Sequence, residues 1–302
     1  MITVLIPTRD RPKLLERSLQ SMVVQKLANL EFIVLDDSRR EESIEKNEAS
    51  IKKDSRVKHL IVQDLIRARK SGIGEILNLG VARSNGDIIA RIDDDDLSLP
   101  GRLNYQLRKL TSQNLDLHGT RAINIDENCK YLSSSLSPKN GIELQNFFLF
   151  ENPFVHSSVM FKKSKFLDIG GYDESLSTSQ DYDLWLRMIN RGFRCEISSR
   201  KFVVIMRWSE GITASTNKEE RQINITKIRP KLDLPKSDWS WVFGLRSLIS
   251  KSKSKSEALK YALREINSKR LILICFALLN EISGRIKYIR YKKLIRILEF
   301  ES

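Results

Sequence analysis

The chain has 302 residues, a net charge of +14 and 41% hydrophobic residues, which is enough for a substantial core. This length favours one large domain with an appendage over three domains. The three cysteines, Cys129, Cys195 and Cys275, are far apart and odd in number. They argue against a disulfide framework and predict reduced thiols in a cytosolic setting. The chain starts with an apolar run, so we expect no signal peptide.

The basic charge is concentrated at the end of the chain. Residues 236–302 carry 15 Lys and Arg against 6 Asp and Glu, a net charge of +9, while the first 235 residues carry 37 against 32, a net charge of +5. We therefore expect a main domain over residues 1–235 and a separate basic tail over residues 236–302.

The first part of the chain alternates predicted strands with predicted helices. The strands are expected at residues 2–6, 32–35 and 57–62 and directly before Asp93, and the helices from residue 12, near 41–53 and at 75–83. Such alternation is typical of right-handed βαβ units, and it predicts an α/β fold with a mostly parallel sheet.

Three of these strands end in polar residues. The ends are Pro7-Thr8-Arg9, Asp36-Asp37 and the acidic run Asp93–Asp96. Because parallel strands end at one edge of a sheet, where ligands bind, we expect these residues to meet there. Four adjacent carboxylates repel one another unless a cation offsets them, and Mg²⁺ or Mn²⁺ prefers oxygen ligands. The first strand is not followed by a glycine-rich phosphate loop, which argues against dinucleotide-dependent dehydrogenases and Walker-type ATPases.

The second half predicts a helix near residues 102–110, strands at 117–125 and 154–161, and a helix over 180–190. In the last helix Asp181 shares an apolar face with Leu184, Trp185 and Met188. A carboxylate on such a face costs free energy unless it has a task or a partner. Asp183 lies on the other side, where it can pair with Arg187 at i+4.

Four segments together resemble glycosyltransferase family 2, most closely its bacterial members that build surface polysaccharides. They are Thr-Val-Leu-Ile-Pro-Thr (3–8), Ile-Val-Leu-Asp-Asp-Ser (33–38), Leu-Asn-Leu-Gly-Val-Ala (77–82) and Asn-Gly-Asp-Ile-Ile-Ala-Arg-Ile-Asp-Asp-Asp-Asp (85–96). The resemblance covers roughly residues 1–210. It implies a GT-A fold, which is Rossmann-like, with a nucleotide-sugar-binding half over about residues 1–115 and an acceptor half over 116–235. It also implies a nucleoside-diphosphate sugar as donor, with UDP or dTDP as a guess, a Mn²⁺ or Mg²⁺ cofactor and inverting transfer.

The resemblance also assigns roles to individual residues. Asp93 and Asp95 match the metal-binding Asp-x-Asp pair, and Asp181 matches the general base that deprotonates the acceptor hydroxyl. The residues expected to bind the nucleotide-sugar are Pro7, Thr8, Arg9, Asp36, Asp37, Asn78, Arg91, Asp93 and Asp94. On the acceptor side we expect His156, Asp183 and Trp185. Many relatives place a histidine after the strand at residues 203–208, but here Ser209 and Glu210 follow, so a third metal ligand is open.

Several alternatives remain at this point. Arg91 is either a counter-ion for the aspartates or a ligand of the donor diphosphate. The chain as a whole is alternatively a sugar nucleotidyltransferase, which releases pyrophosphate, or an inactive carbohydrate- or membrane-binding module. Nucleic-acid binding lacks a recognition motif.

The basic tail is predicted to be helical and amphipathic. Its longest apolar run, Leu271 to Leu279, is well short of the ~20 residues that cross a bilayer. Basic residues mixed with aliphatic and aromatic ones favour binding to an anionic membrane surface, with a helical cap on the catalytic domain as the alternative. We therefore expect a cytoplasmic enzyme, peripheral on the inner membrane face, that acts on a glycan or lipid-linked acceptor. The oligomeric state is left open.

Overall fold

The structure is a computed structural model. It describes residues 1–62, 72–135 and 152–208, together with residues 144, 145, 147, 148, 286 and 289. The predicted limit of the catalytic domain at residue 235 and almost all of the predicted basic tail lie outside the described residues. Among the described residues, none of the helices combines the length and the apolar character that crossing a membrane requires.

The described strands form one sheet in the order β3-β2-β1-β4-β8-β6-β9-β5, with β7 paired to β6. The strands are β1 (Ile2–Thr8), β2 (Leu30–Asp36), β3 (Val57–Ile61), β4 (Ile88–Arg91), β5 (Leu97–Ser98), β6 (Leu117–Asp126), β7 (Tyr131–Ser134), β8 (Met160–Lys162) and β9 (Cys195–Arg207). The helices are α1 (Pro12–Val23), α2 (Glu41–Ile51), α3 (Ile73–Arg83), α4 (Arg102–Ser112), α5 (Lys163–Asp168) and α6 (Gln180–Asn190).

The half of the sheet built from β1 to β4 is entirely parallel, as the sequence predicts. Thr8 pairs with Asp36 across β1 and β2, and Leu5 pairs with Arg91 across β1 and β4. These strands therefore end at the same edge. All seven residues of β1 and of β2 are buried, as expected for strands covered on both faces.

Alternate strand residues divide the core between the two faces of the sheet. One apolar cluster contains Leu5 and Ile33 with residues of α3 and α6. The other contains Val4 and Phe32 with residues of α1 and α4. Side chains of neighbouring strand residues point to opposite faces, so the same strands serve both clusters. The result is a sheet between two helical layers, with the carboxyl ends of the strands left free to form a site.

The second half of the sheet adds antiparallel pairs. β8 runs antiparallel to both β4 and β6, whereas β6 and β9 are parallel. The predicted strand at residues 154–161 is wrong for its first part, because residues His156–Ser158 form a 3₁₀ turn and β8 starts at Met160. Ser158 explains the difference: its hydroxyl donates to the carbonyls of Val155 and Thr120, and such local bonds compete with strand pairing.

Candidate active site

The polar strand ends meet at the edge of the sheet, as predicted. The Thr8 hydroxyl donates to Asp94 Oδ2 at 2.7 Å, which joins the end of β1 to the acidic run after β4. The amide of Asp37 donates to the Thr8 carbonyl at 2.9 Å, and the Arg9 guanidinium lies 3.7 Å from the Asp37 carboxylate. Pro7 precedes Thr8 in β1, opposite Leu35 of β2. The ends of three neighbouring strands therefore form one polar rim.

Three carboxylates of the acidic run converge. One oxygen each from Asp93, Asp95 and Asp96 lies within 4.8 Å of the others. Hard cations such as Mg²⁺ and Mn²⁺ take carboxylate oxygens as ligands, so this donor set fits the predicted cofactor. Asp96 is the residue that sequence reasoning missed, although it belongs to the same run. It offers a third carboxylate to a cation, whereas the sequence left the third metal ligand open.

Arg91 is the counter-ion of Asp93. Both terminal nitrogens of its guanidinium donate to the Asp93 carboxylate, one of them at 3.0 Å, and its side chain is 3% exposed. The Ser157 hydroxyl donates to Asp93 Oδ2 at 2.7 Å and accepts from the Asp93 amide at 3.1 Å. Between the two alternatives for Arg91, the geometry thus favours the counter-ion. It also identifies Ser157, which sequence reasoning missed, as a second residue that holds the Asp93 carboxylate in place.

Arg11 is a further cation that sequence reasoning overlooked. It precedes α1, and its guanidinium lies 2.9 Å from Asp94 Oδ1 and 3.1 Å from Asp95 Oδ2. Its only sequence signal is its position just after the polar end of β1. Because carboxylates in a run repel one another, a cation that bridges two of them lowers the cost of packing them together.

The four aspartates have different proton affinities. Burial opposes ionisation of Asp93, but the Arg91 guanidinium, together with His156 and the Ser157 hydroxyl, outweighs it and holds the pKa of Asp93 at about 2. Burial raises the pKa of Asp94 to about 7, although Arg11 offsets part of this effect. Burial raises the pKa of Asp95, helped by the charge of Asp93, and it raises the pKa of Asp96 well above its usual range. The run therefore holds protons at a pH where exposed aspartates are ionised.

Asp36 is completely buried at the end of β2. Its carboxylate accepts hydrogen bonds from the Ser38 amide at 2.9 Å and from Asn47 Nδ2 at 2.8 Å, and His59 Nε2 lies at 2.8 Å. Burial opposes ionisation, but these bonds outweigh it and lower the pKa of Asp36. The structure thus holds Asp36 as an anion that fixes the loop after β2, next to the buried Asp37.

The candidate base Asp181 lies in the first turn of α6 and is partly buried. Asn152 Nδ2 donates to its Oδ2 at 2.6 Å, a contact that the sequence did not indicate. Burial lowers the pKa of Arg91, but the nearby carboxylates of Asp93 and Asp181 outweigh it and raise that pKa. Burial raises the pKa of Tyr172, and the same two carboxylates add to this effect. Asp181 and Asp93 of the metal-binding run therefore lie near the same pair of side chains.

Asn78 joins α3 to the turn that carries Tyr172. Its side-chain amide is hydrogen-bonded to both backbone groups of Tyr172: Nδ2 donates to the carbonyl at 3.0 Å, and Oδ1 accepts from the backbone N–H at 2.9 Å. Nδ2 also donates to Glu174 at 2.8 Å. These bonds make Asn78 a clamp that joins α3 to the turn at residues 170–174, and its contact with the nucleotide-sugar stays a prediction.

Two of the predicted acceptor-side residues lie in the core. The Asp183 carboxylate is 1% exposed and accepts from Arg187 Nε at 2.7 Å, which confirms the predicted i+4 pair. Trp185 is fully buried, and its ring packs against other rings, those of Phe154, His156, Phe161 and Tyr172. Both predictions came from the family resemblance, which does not reveal how deep these side chains lie in the fold.

His156 lies beside the acidic run. Its Nε2 is 2.8 Å from the Tyr172 hydroxyl, and its ring meets the Trp185 ring edge-on. Burial, reinforced by the Arg91 charge, lowers the pKa of His156 well below its usual range, so the imidazole is neutral. The charges that act on it, those of Arg91 and Asp93, belong to the metal-binding side. His156 therefore lies near the metal-binding residues, and its role on the acceptor side stays a prediction.

Solved structures of similar architecture agree with this description. The crystal structure of S. aureus TarS 1-349 superposes with a TM-score of 0.60 at 14% identity, over 99% of this chain and 88% of that chain. A second structure of the same protein, in complex with UDP-GlcNAc, gives a TM-score of 0.60 at 16% identity over the same shares. At this identity the likeness shows the fold alone, and it confirms the predicted GT-A fold.

Sequence comparisons add the family. The family model described as Glycosyl transferase family 2 matches residues 3–170. The amylovoran biosynthesis glycosyltransferase AmsE of Erwinia amylovora is 31% identical over 195 residues, 64% of this chain and 71% of that protein. The O-antigen biosynthesis glycosyltransferase WbnJ of Escherichia coli is 31% identical over 194 residues, 63% of this chain and 72% of that protein. The chain therefore belongs to glycosyl transferase family 2 and is a glycosyltransferase.

Proposed function

We propose that this enzyme transfers a sugar, with inversion, from a nucleoside-diphosphate sugar to a glycan or lipid-linked acceptor in cell-surface polysaccharide synthesis. The observation that carries the proposal is the convergence of Asp93, Asp95 and Asp96 at the edge of a GT-A sheet. The named activities of AmsE and WbnJ, in amylovoran and O-antigen biosynthesis, support the polysaccharide acceptor. The complex of TarS with UDP-GlcNAc supports a UDP-sugar as donor.

The acidic run would hold a divalent cation through Asp93, Asp95 and Asp96. When bound, a Mn²⁺ or Mg²⁺ ion at this position would act as a Lewis acid and offset charge on the departing diphosphate. Arg91 and Ser157 fix the orientation of Asp93 in advance, so less of its motion has to be frozen when ligands bind. Arg11 supplies a second positive charge at the same edge, partly exposed and within reach of a phosphate.

Asp181 would take the proton from the acceptor hydroxyl. Asn152 holds one of its oxygens, and the carboxylate projects from the first turn of α6. A hydroxyl that is activated there attacks the anomeric carbon from the side away from the diphosphate, and displacement in that direction inverts the configuration. The roles of Asp93 and Asp181 thus differ: one positions the leaving group and the other activates the nucleophile.

The basic tail would bring the enzyme to the membrane where a lipid-linked acceptor lies. The excess of 15 Lys and Arg over 6 Asp and Glu in residues 236–302 supports attraction to anionic lipids. Two tail positions that the structure describes, Ile286 and Ile289, are helical and expose 63% and 70% of their surface. Side chains three residues apart lie on the same side of a helix, so both can enter the interface together.

Nucleotide binding tests the donor site. A ligand that binds only the folded state raises its apparent stability according to its concentration and affinity. We expect one of UDP, dTDP, GDP and CMP to raise the melting temperature in the presence of Mn²⁺, and we expect Asp95→Asn to abolish the shift. Asp168→Asn is the matched control, because Asp168 is an exposed aspartate at the end of α5, away from the rim.

A sugar nucleotidyltransferase would give a different result. It would bind a nucleoside triphosphate and release pyrophosphate, so a melting-temperature shift with UTP that exceeds the shift with UDP, together with pyrophosphate release from UTP and a sugar phosphate, would contradict the proposal. A lack of shift with all four nucleotides would contradict the donor site itself.

A further inference from the structure

We propose that His156, oriented by the Tyr172 hydroxyl, contacts the sugar ring of the donor and helps to determine which sugar is transferred. The inference rests on the proposed donor site. It assigns to these two residues a task that neither the metal-binding run nor the base fulfils. His156 is the specificity-determining contact, and Tyr172 is its positioning residue.

The location of the pair is the first argument. His156 opens the 3₁₀ turn whose next residue, Ser157, is hydrogen-bonded to Asp93. Trp185, one turn after the proposed base in α6, packs its ring against the rings of both His156 and Tyr172. The pair therefore lies next to the residue that holds Asp93 and next to the helix that carries the proposed base. A sugar that is attacked by one group and leaves the other must have its ring near both of them.

The fixation of Tyr172 is the second argument. Both of its backbone groups are bonded to Asn78, and the carbonyl of the preceding Gly171 accepts from Arg187 at 2.6 Å. Its ring meets the rings of Phe166 and Trp185 edge-on, with centroids 5.4 Å and 6.3 Å away. Contacts from α3, α5 and α6 thus hold one hydroxyl in place, which is the support that a precise polar contact requires.

The hydrogen-bonding capacity of the pair is the third argument. A neutral imidazole has one donor and one acceptor nitrogen, and a phenol hydroxyl has one donor and two acceptor sites. The bond between His156 Nε2 and the Tyr172 oxygen fixes the ring direction and leaves Nδ1 as a second polar atom. His156 is partly exposed whereas Tyr172 is 3% exposed, so His156 is the more accessible of the two residues to a sugar hydroxyl.

Two variants separate sugar recognition from nucleotide recognition. Tyr172→Phe removes a single oxygen and keeps the ring packing, and His156→Gln replaces the imidazole with a smaller polar group. Tyr105→Phe is the matched control, since the Tyr105 hydroxyl bonds Ser198 at 2.8 Å, outside the site. Calorimetry with Mn²⁺ measures the affinity for UDP and dTDP alone. Mn²⁺-dependent hydrolysis of UDP-glucose, UDP-galactose, UDP-N-acetylglucosamine, UDP-N-acetylgalactosamine and dTDP-rhamnose measures sugar preference.

We expect both variants to bind the nucleoside diphosphate within about twofold of wild type. We also expect them to reduce the preference for the best sugar over its nearest epimer by about fivefold to twentyfold, the order that one lost hydrogen bond gives. Tyr105→Phe should keep the wild-type preference. An unchanged preference in both folded variants, or an equal loss of nucleotide and sugar binding, overturns the inference alone. If wild type binds neither nucleotide, the proposed donor site fails and the inference fails with it.

Discussion

The four residues of the run Asp93–Asp96 are all aspartates, but they differ in their partners and in their pKa values. Asp93 is held as an anion by Arg91, whereas Asp94 lies against Thr8 and Arg11 with a pKa of about 7. Asp96 is buried and accepts from the Met206 amide of β9 at 3.3 Å. The difference comes from the neighbouring groups that surround each carboxyl. It does not come from the run of aspartates itself.

This difference predicts that Mn²⁺ binding releases protons. Burial raises the pKa of Asp94, Asp95 and Asp96, so near neutral pH the folded protein holds protons that a divalent cation must displace. The affinity for Mn²⁺ should therefore increase as the pH rises from 6 to 8. Calorimetry at pH 6.5 in buffers with different ionisation enthalpies measures the number of protons released. Binding enthalpies that are identical in all buffers would rule out proton release.

The Arg91–Asp93 pair gives a prediction about stability. Arg91→Met leaves the Asp93 carboxylate without its counter-ion, and because Asp93 is partly exposed we expect a loss of about 1–3 kcal/mol in the free energy of unfolding. Arg91→Lys keeps the charge but not the bidentate geometry, so the loss in the free energy of unfolding should be smaller. Urea unfolding measures both.

The control for this prediction is Arg83→Met, at an exposed position in the last turn of α3. Substitutions at exposed positions usually change the free energy of unfolding by less than about 0.5 kcal/mol. A loss in Arg91→Met no larger than that of the control would show that the pair does not stabilise the fold.

At the scale of elements, the site depends on a turn between α5 and α6. Gly170 and Gly171 have φ values of 82° and 69°, the left-handed region that glycine adopts without strain. Arg187 of α6 donates to the carbonyls of Ile169 and Gly171, and Asn78 of α3 bonds the backbone of Tyr172. Two helices that pack on the same face of the sheet thus fix the turn.

The clamp predicts a result that a nucleotide contact would not give. Asn78→Ala leaves the buried backbone groups of Tyr172 without partners, so we expect a loss of about 1–3 kcal/mol in the free energy of unfolding. The affinity for UDP with Mn²⁺ should stay within about twofold of wild type. Urea unfolding and calorimetry on the same variant measure the two quantities. A large loss of UDP affinity at unchanged stability would contradict the clamp and would show that Asn78 contacts the nucleotide.

The fold and the rim could be predicted from the sequence because they depend on short-range patterns. Buried apolar runs at regular spacing gave the parallel strands, and the rule that parallel strands end at one edge brought Thr8 to Asp94. The Asp183–Arg187 pair follows in the same way from helical spacing. In these cases the partner is close in sequence, or its place is set by strand order.

The rest of the site could not be predicted, since it depends on contacts between distant segments. Asn78 bonds Tyr172 and Asn152 bonds Asp181, and neither pair has a fixed spacing in the sequence. The burial of Trp185 depends on rings contributed by other elements. Ser157 was hidden because residues 154–161 have the apolar composition of a strand, while serine hydroxyls turned part of that segment into a 3₁₀ turn.

At the scale of the whole molecule, the proposed membrane attachment should be separable from chemistry. Replacing Lys287, Lys292 and Lys293 of the full chain with Glu changes the charge of the tail by six units, and each basic residue near an anionic surface contributes about 1 kcal/mol. We expect binding to vesicles of phosphatidylcholine and phosphatidylglycerol to fall at least tenfold, with UDP binding unchanged. Sedimentation with vesicles tests this, and pure phosphatidylcholine vesicles are the control. Equal binding by wild type and the variant would contradict it.

In the proposed mechanism, the acidic run binds the donor and Asp181 acts on the acceptor. The most direct measurement is UDP release from a UDP-sugar with Mn²⁺, compared with UDP affinity, in wild type, Asp95→Asn and Asp181→Asn. We predict that Asp95→Asn loses both its affinity for UDP and its release of UDP from the UDP-sugar. Asp181→Asn should bind UDP like wild type, but it should release UDP from the UDP-sugar at least a hundredfold more slowly. Wild-type release by Asp181→Asn, or wild-type affinity in Asp95→Asn, would contradict the account.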